Sequence, residues 1–199
     1  MTDLTTLRAL AGLPLQPPSL AASTLILIDC QNTYTRGVME LEGVQAALDE
    51  AAALLERARS AGIPVIHIQH DDGPDSLYDI TGESGAIVPR VAPRDGEPVV
   101  VKNYPNAFVQ TDFDERLKSV NAQNLIIVGF MTHMCVNSTA RGAFNLGYGP
   151  TVVAAATATR SLPGVDGPDV PAATLQVASL AALTDLFAVV VPHSAAIPD

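Results

Sequence analysis

The chain is 199 residues long, 48% hydrophobic, and carries a formal net charge of −10. That is enough apolar material for one well-buried domain, and its 11 basic residues, scattered rather than clustered, argue against nucleic acid or an anionic membrane as partner. No apolar run approaches membrane-spanning length, the N-terminal stretch with Asp3, Arg8, Pro14, Pro17 and Pro18 lacks the core of a signal peptide, and the two cysteines allow at most one disulfide, so a reduced cytoplasmic setting is expected.

In chain order, residues 1–22 read as an irregular arm with a short helix around Leu4 to Ala11, of the kind that lies on a surface or clasps a neighbouring subunit. Ser23 to Asp29 (STLILID) is a continuous apolar run ending in an acid, the pattern of a buried parallel strand whose C-terminal end meets solvent or a site. Taken alone, Asp29 reads either as a loop cap or as a functional carboxylate. From Gly43 to Gly62 the residues Val44, Ala47, Leu48, Ala51, Leu54, Leu55 and Ala58 recur at helical spacing, and Gly62 is a natural stop. Ile63 to Ile68 is the second strand, followed by His70-Asp71-Asp72-Gly73-Pro74. Strand alternation sends His67 and His70 to opposite sides, and no Asp-x-His or His-x-His pair exists, so no metal is expected and the segment reads as a polar loop at a pocket rim.

Residues 73–98, rich in Gly and Pro, are a long excursion rather than a second domain, expected to shape a substrate pocket. Glu97 to Lys102 is the third strand; Lys102 marks either the point where it meets water or a site. Tyr104 to Phe108 is a turn, and Thr111 the expected N-cap of a helix with acids in its first turn. Leu125 to Val128 is the fourth strand, Gly129 opens a turn, and Cys135 falls in the first turn of a helix that runs to Leu146 and stops at Gly147. Unpaired N–H groups and the helix dipole favour a thiolate there, although a small buried cysteine fits the local pattern equally well. Thr151 to Ala155 is a fifth strand, Ala172 to Phe187 a helix, and Ala188 to Val191 a sixth strand closed by Pro192.

Strands alternating with helices predict an α/β fold with a parallel sheet covered on both faces. In the doubly wound order 3-2-1-4-5-6, Asp29 and the Cys135 turn face each other at the switch point, while Lys102 must reach inward from farther out. Neither G-x-G-x-x-G nor a P-loop occurs, and no cofactor is expected.

Asp29 in LILIDCQN, Lys102 in VVVKNYPNAF and Cys135 in IIVGFMTHMCVNSTARGAFNLGY together resemble the isochorismatase-like cysteine hydrolase family, which includes nicotinamidases and N-carbamoylsarcosine amidase. The match runs from about Leu25 almost to the C-terminus, and three separated motifs in the correct order are far more specific than one. The resemblance implies a single hydrolase domain over residues 23–199, a Rossmann-like three-layer α/β/α fold with a six-stranded parallel sheet, and a homo-oligomer, dimer or tetramer. It further implies a catalytic triad of Asp29, Lys102 and Cys135, an oxyanion hole of the Met131 and Cys135 backbone N–H groups, and a cis peptide between Phe130 and Met131. There are two departures. Metal-containing nicotinamidases carry Asp-x-His and a further His where this chain reads HIQHDDGPD, which argues against a nicotinamidase. Many relatives show Asp-Ala where this chain has Ala155-Ala156, a position without a catalytic role.

The expected reaction is hydrolysis of an amide or urea-like C–N bond of a small molecule by the Cys135 thiolate through an acyl-enzyme, with Asp29 moving the proton and Lys102 favouring the anion. Vinyl ether hydrolysis of the isochorismatase type does not need a thiol nucleophile, and a redox-sensing relative would not need Asp29 and Lys102. Pairing of Cys135 with His133 is disfavoured, because residues two apart at a helix entry do not face each other. Tyr34, Tyr104, Phe108, Met131 and His133 are the expected pocket residues, suggesting a small, partly apolar or aromatic ligand.

Overall fold

The computed structural model describes residues 4–165 and 167–199, so the first three residues of the expected arm lie outside it. Six strands form one sheet: β1 (Ser23–Ile28), β2 (Val65–His70), β3 (Val99–Lys102), β4 (Asn124–Phe130), β5 (Gly149–Ala158) and β6 (Val189–Val191). Every pairing is parallel, as the alternation of strands and helices predicts, and the order β3-β2-β1-β4-β5-β6 is the expected doubly wound one.

The central strands are apolar on both faces because both faces are covered. Leu25, Leu27, Ile126 and Val128 pack with the buried stripe of α2 (Val44–Ala61), while Ile26, Ile28, Leu125 and Ile127 pack with Phe113 and Leu117 of α3 (Phe113–Ser119) and Ala140 and Ala143 of α4 (Asn137–Asn145). The period of two in the strands thus assigns successive residues to opposite cores. A further helix, α5 (Ala172–Thr184), joins the second layer through Leu183. Gly62 ends α2 in the left-handed conformation, its N–H reaching back to the carbonyls of Ala58 and Arg59. The arm is tied down at several points: the Arg8 N–H donates to the Asp185 carbonyl at 2.7 Å and the Leu20 N–H to the Pro198 carbonyl at 2.7 Å. No helix among the described residues is long and apolar enough to cross a membrane.

Three local details differ from the sequence expectation. The chain leaves β4 through a π-helical turn, Thr132–Val136, in which Met134 and Val136 both donate to the Met131 carbonyl, so Cys135 lies in this wider turn just before α4. Asp112, not Thr111, occupies the N-cap of α3; the Thr111 hydroxyl donates instead to the Ala107 carbonyl and accepts the Phe113 N–H from one position farther out. β5 continues to Ala158, with its pairing to β4 irregular between Ile127 and Gly129, which an apolar run cannot signal.

Candidate active site

The C-terminal ends of β1, β3 and β4 supply three side chains that meet. Asp29 follows β1 with φ +48, a left-handed conformation that Asp tolerates better than most residues, and its N–H is held by the Ile68 carbonyl at 3.0 Å. Lys102 ends β3, two strand spacings from β1 with β2 between, a gap of roughly 10 Å that its long arm bridges. Its Nζ lies 2.8 Å from Asp29 Oδ2 and 3.4 Å from Cys135 Sγ. Asp29 and Lys102 are fully buried and Cys135 is 5% exposed. Phe130 and Met131 are joined by a cis peptide.

The ammonium and carboxylate are in ion-pair contact, but neither Asp29 oxygen has an aligned hydrogen-bond donor among the described residues. Burial, reinforced by the Asp29 charge, pushes the Cys135 thiol up, and the opposing pull of Lys102 does not prevail. This reverses the expectation of a thiol titrating below its ordinary range, because a helix entry read from sequence gives no measure of how far the sulfur is removed from water. For Lys102, burial works against the charge, yet Asp29 and Cys135 together hold the ammonium above its usual value. Burial and the Asp29 charge thus favour the protonated thiol beside a buried ion pair.

The excursion between β2 and β3 lies over these strand ends. Gln31 pairs with Ile87, the Asn32 N–H donates to the Ala86 carbonyl at 2.9 Å, and the side-chain amides of Gln31 and Gln69 each donate to the Gly85 carbonyl at 2.8 Å. It delivers Tyr78, whose ring stands 5.8 Å from that of Tyr34 and 4.9 Å from that of His70. Tyr34 is buried, its ring also 5.8 Å from Phe130, and burial together with the Asp29 charge pushes its phenol up. His133 turns its Nδ1 to the Thr159 hydroxyl at 2.6 Å and away from a pairing with Cys135, and burial with the nearby Arg160 charge lowers its basicity.

Two expected pocket residues stand apart from the Asp29, Lys102 and Cys135 side chains. The Phe108 ring packs on Phe113 at 4.7 Å and stacks with Tyr148 at 6.0 Å, and its backbone N–H donates to Asn106 Oδ1 at 3.0 Å. Tyr104 is 45% exposed beyond the end of β3. Neither shares a hydrogen bond or ring contact with the three meeting residues among the described residues. Conversely, the sequence reading missed Tyr78 and the part played by His70, whose Nδ1 lies 3.1 Å from Lys102 Nζ. For His70 a signal existed: if β2 lies between β1 and β3, the residue ending β2 must sit beneath the lysine arm. His67 points to the other face, to Glu97 at 3.1 Å, which Arg59 clasps at 2.7 and 2.8 Å. No group of three or more His, Cys, Asp or Glu among the described residues is placed to hold a metal ion. A groove of about 530 Å³, lined in part by Arg8, Pro14, Tyr148 and Thr151, lies at the opposite end of the strands.

Residues 23–195 match the isochorismatase domain. The chain is 31% identical over 189 residues, covering 94% of this chain and 97% of the relative, to a secreted isochorismatase effector, Isc1, of Verticillium dahliae. It is 30% identical over 200 residues to the ureidoacrylate amidohydrolase RutB of Pseudomonas syringae pv. syringae, covering 78% of this chain and 80% of the relative. The crystal structure of an isochorismatase from Pseudomonas putida KT2440 superposes with a TM-score of 0.92 at 38% identity, covering 96% of this chain and 97% of that one.

Proposed function

The chain belongs to the isochorismatase family of hydrolases, and on that premise we propose that it cleaves a C–N bond, amide or urea-like, of a small molecule with Cys135 as the nucleophile. The observation that carries this reading is the position of Lys102 Nζ, 2.8 Å from a buried carboxylate and 3.4 Å from a buried thiol. Asp29 takes the thiol proton as sulfur bonds to the carbonyl carbon, and the ammonium stabilises the developing thiolate. The oxyanion so formed is held by the backbone N–H groups of Met131 and Cys135. Asp29 passes its proton to the nitrogen, the C–N bond breaks and the amine leaves. Water then gives a proton to Asp29 and its oxygen to the acyl carbon, the C–S bond breaks, and the sulfur recovers the proton. Burial favours the protonated thiol, so its attack calls for a base beside it, the place Asp29 fills in this reading.

A cysteine nucleophile favours C–N cleavage over vinyl ether hydrolysis, which proceeds without one. Tyr34 and Tyr78 favour a small ligand with a flat or apolar part. The reading also carries a reduced cytoplasmic setting and an assembly of identical chains. The test is a hydrolysis screen of small amides, ureas and isochorismate, read by release of ammonia or amine and by pyruvate. Amine release from one of the amides or ureas is expected; turnover of isochorismate alone would replace the reading with vinyl ether hydrolysis.

A further inference from the structure

We propose that His70 is a positioning residue that fixes the Lys102 ammonium between Asp29 and Cys135, through the unprotonated Nδ1 of its ring. The inference rests on the reading of those three residues as a working unit. A lysine ammonium has three N–H bonds, and with Lys102 fully buried none can turn to bulk water. Asp29 Oδ2 at 2.8 Å, Cys135 Sγ at 3.4 Å and His70 Nδ1 at 3.1 Å surround the nitrogen. Removing the third leaves an N–H without a partner and the ammonium free to swing away from the sulfur.

The ring is held for this task from several sides. His70 is the register partner of Lys102 on the adjacent strand, so both side chains leave the same face of the sheet. Its backbone is clamped by Gln31, which accepts the His70 N–H at 2.9 Å and donates to the His70 carbonyl at 2.9 Å. Tyr78 stands edge-on to the ring at 82°. Asp72 Oδ1 lies 3.0 Å from Nε2, where it accepts that nitrogen's hydrogen and leaves Nδ1 as the acceptor toward lysine.

The same geometry makes the support sensitive to protons. A second proton on the ring would occupy Nδ1, abolish the acceptor and set a cation 3.1 Å from the ammonium. The charged and titratable groups facing His70 are Lys102 from β3, Asp72 from its own loop, Tyr78 from the excursion, and Asp29 and Cys135 beyond the ammonium.

The test is the rate of Cys135 alkylation by iodoacetamide, located by peptide mass and followed across pH in the wild type, His70→Ala, His70→Asn and Lys102→Met. Asparagine returns an acceptor oxygen near the place of Nδ1 but cannot titrate. The expected result is a roughly tenfold slower alanine variant, at the lower end of what loss of an outer orienting partner costs a site. His70→Asn should regain most of that rate. Equal slowing of both variants, or none, would overturn the inference. A wild type no faster than Lys102→Met would overturn the working unit itself, and the inference with it. If the alanine variant does not fold, His70→Leu, which fills the space without an acceptor, takes its place: a rate equal to that of His70→Asn contradicts the proposal.

Discussion

Lys102 Nζ lies 2.8 Å from Asp29 Oδ2, although β2 separates their strands and both side chains are fully buried. Desolvating two charges costs much of what their attraction returns, and removing one partner leaves the other uncompensated. Lys102→Met is therefore expected to lose about 3 kcal/mol in urea denaturation, with Asp29→Asn added to it restoring part of the loss. On alkylation, wild-type Cys135 should titrate above the ordinary thiol value of about 8.5, Lys102→Met higher still, and Asp29→Asn lower, because the carboxylate that opposes a second anion is gone. Profiles that coincide in all three proteins would mean that the groups do not act on one another.

Glu97 anchors a second charged cluster, in which the Arg59 guanidinium holds its carboxyl down to about 2 against a partial burial penalty, with His67 adding to the effect. A depressed carboxyl stabilises the fold above its unfolded pKa and ceases to do so as pH falls through the folded one. Glu97→Gln should cost roughly 2 kcal/mol at neutral pH, and the gap to wild type should close between about pH 4 and pH 2. Denaturation midpoints with a gap unchanged down to the lower limit would refute the assignment.

Gly129 has φ +109, and a Cβ there would stand 2.0 Å from the Ile28 carbonyl oxygen. Since β1 and β4 pair at this point and carry Asp29 and the Cys135 turn, Gly129→Ala must push the two strand ends apart. A loss of more than about 3 kcal/mol is expected, readable as a fall in melting temperature. An alanine variant as stable as wild type would show that the strands yield there without cost.

Much of this was legible from pattern. The runs STLILID and LIIVGF announce strands buried on both faces, VVVK a third strand, and their alternation with helices gives a parallel sheet, whose doubly wound order places Asp29 opposite the Cys135 turn. Reach was less legible: whether Lys102 crosses β2 depends on side-chain direction, which strand periodicity fixes only once register is known. The pairing of His70 with Lys102 is such a register fact. Burial of the sulfur, which sets the sign of its titration, arises from the excursion and the π-helical turn together and has no local signature. Tyr78 arrives from a Gly- and Pro-rich stretch without periodicity, and a turn aromatic such as Phe108 looks the same in a pocket and in a core.

The expected assembly is a dimer or tetramer. α5 carries no charged residue, and Val177 on it is 70% exposed, an unusual surface for a chain of net charge −10. Light scattering at micromolar concentration should give two or four times the chain mass; a strict monomer would contradict this.

The central claim is that Cys135 forms the bond to the substrate, and the most direct measurement is hydrolysis of an amide or urea identified by the screen, wild type against Cys135→Ala. A sulfur at a turn contributes modest packing, so the variant should stay folded by circular dichroism and melting temperature. Its turnover should fall by at least about 10⁴-fold, as expected when a nucleophile is removed. A folded alanine variant that hydrolyses the substrate within tenfold of wild type would contradict nucleophilic catalysis by Cys135.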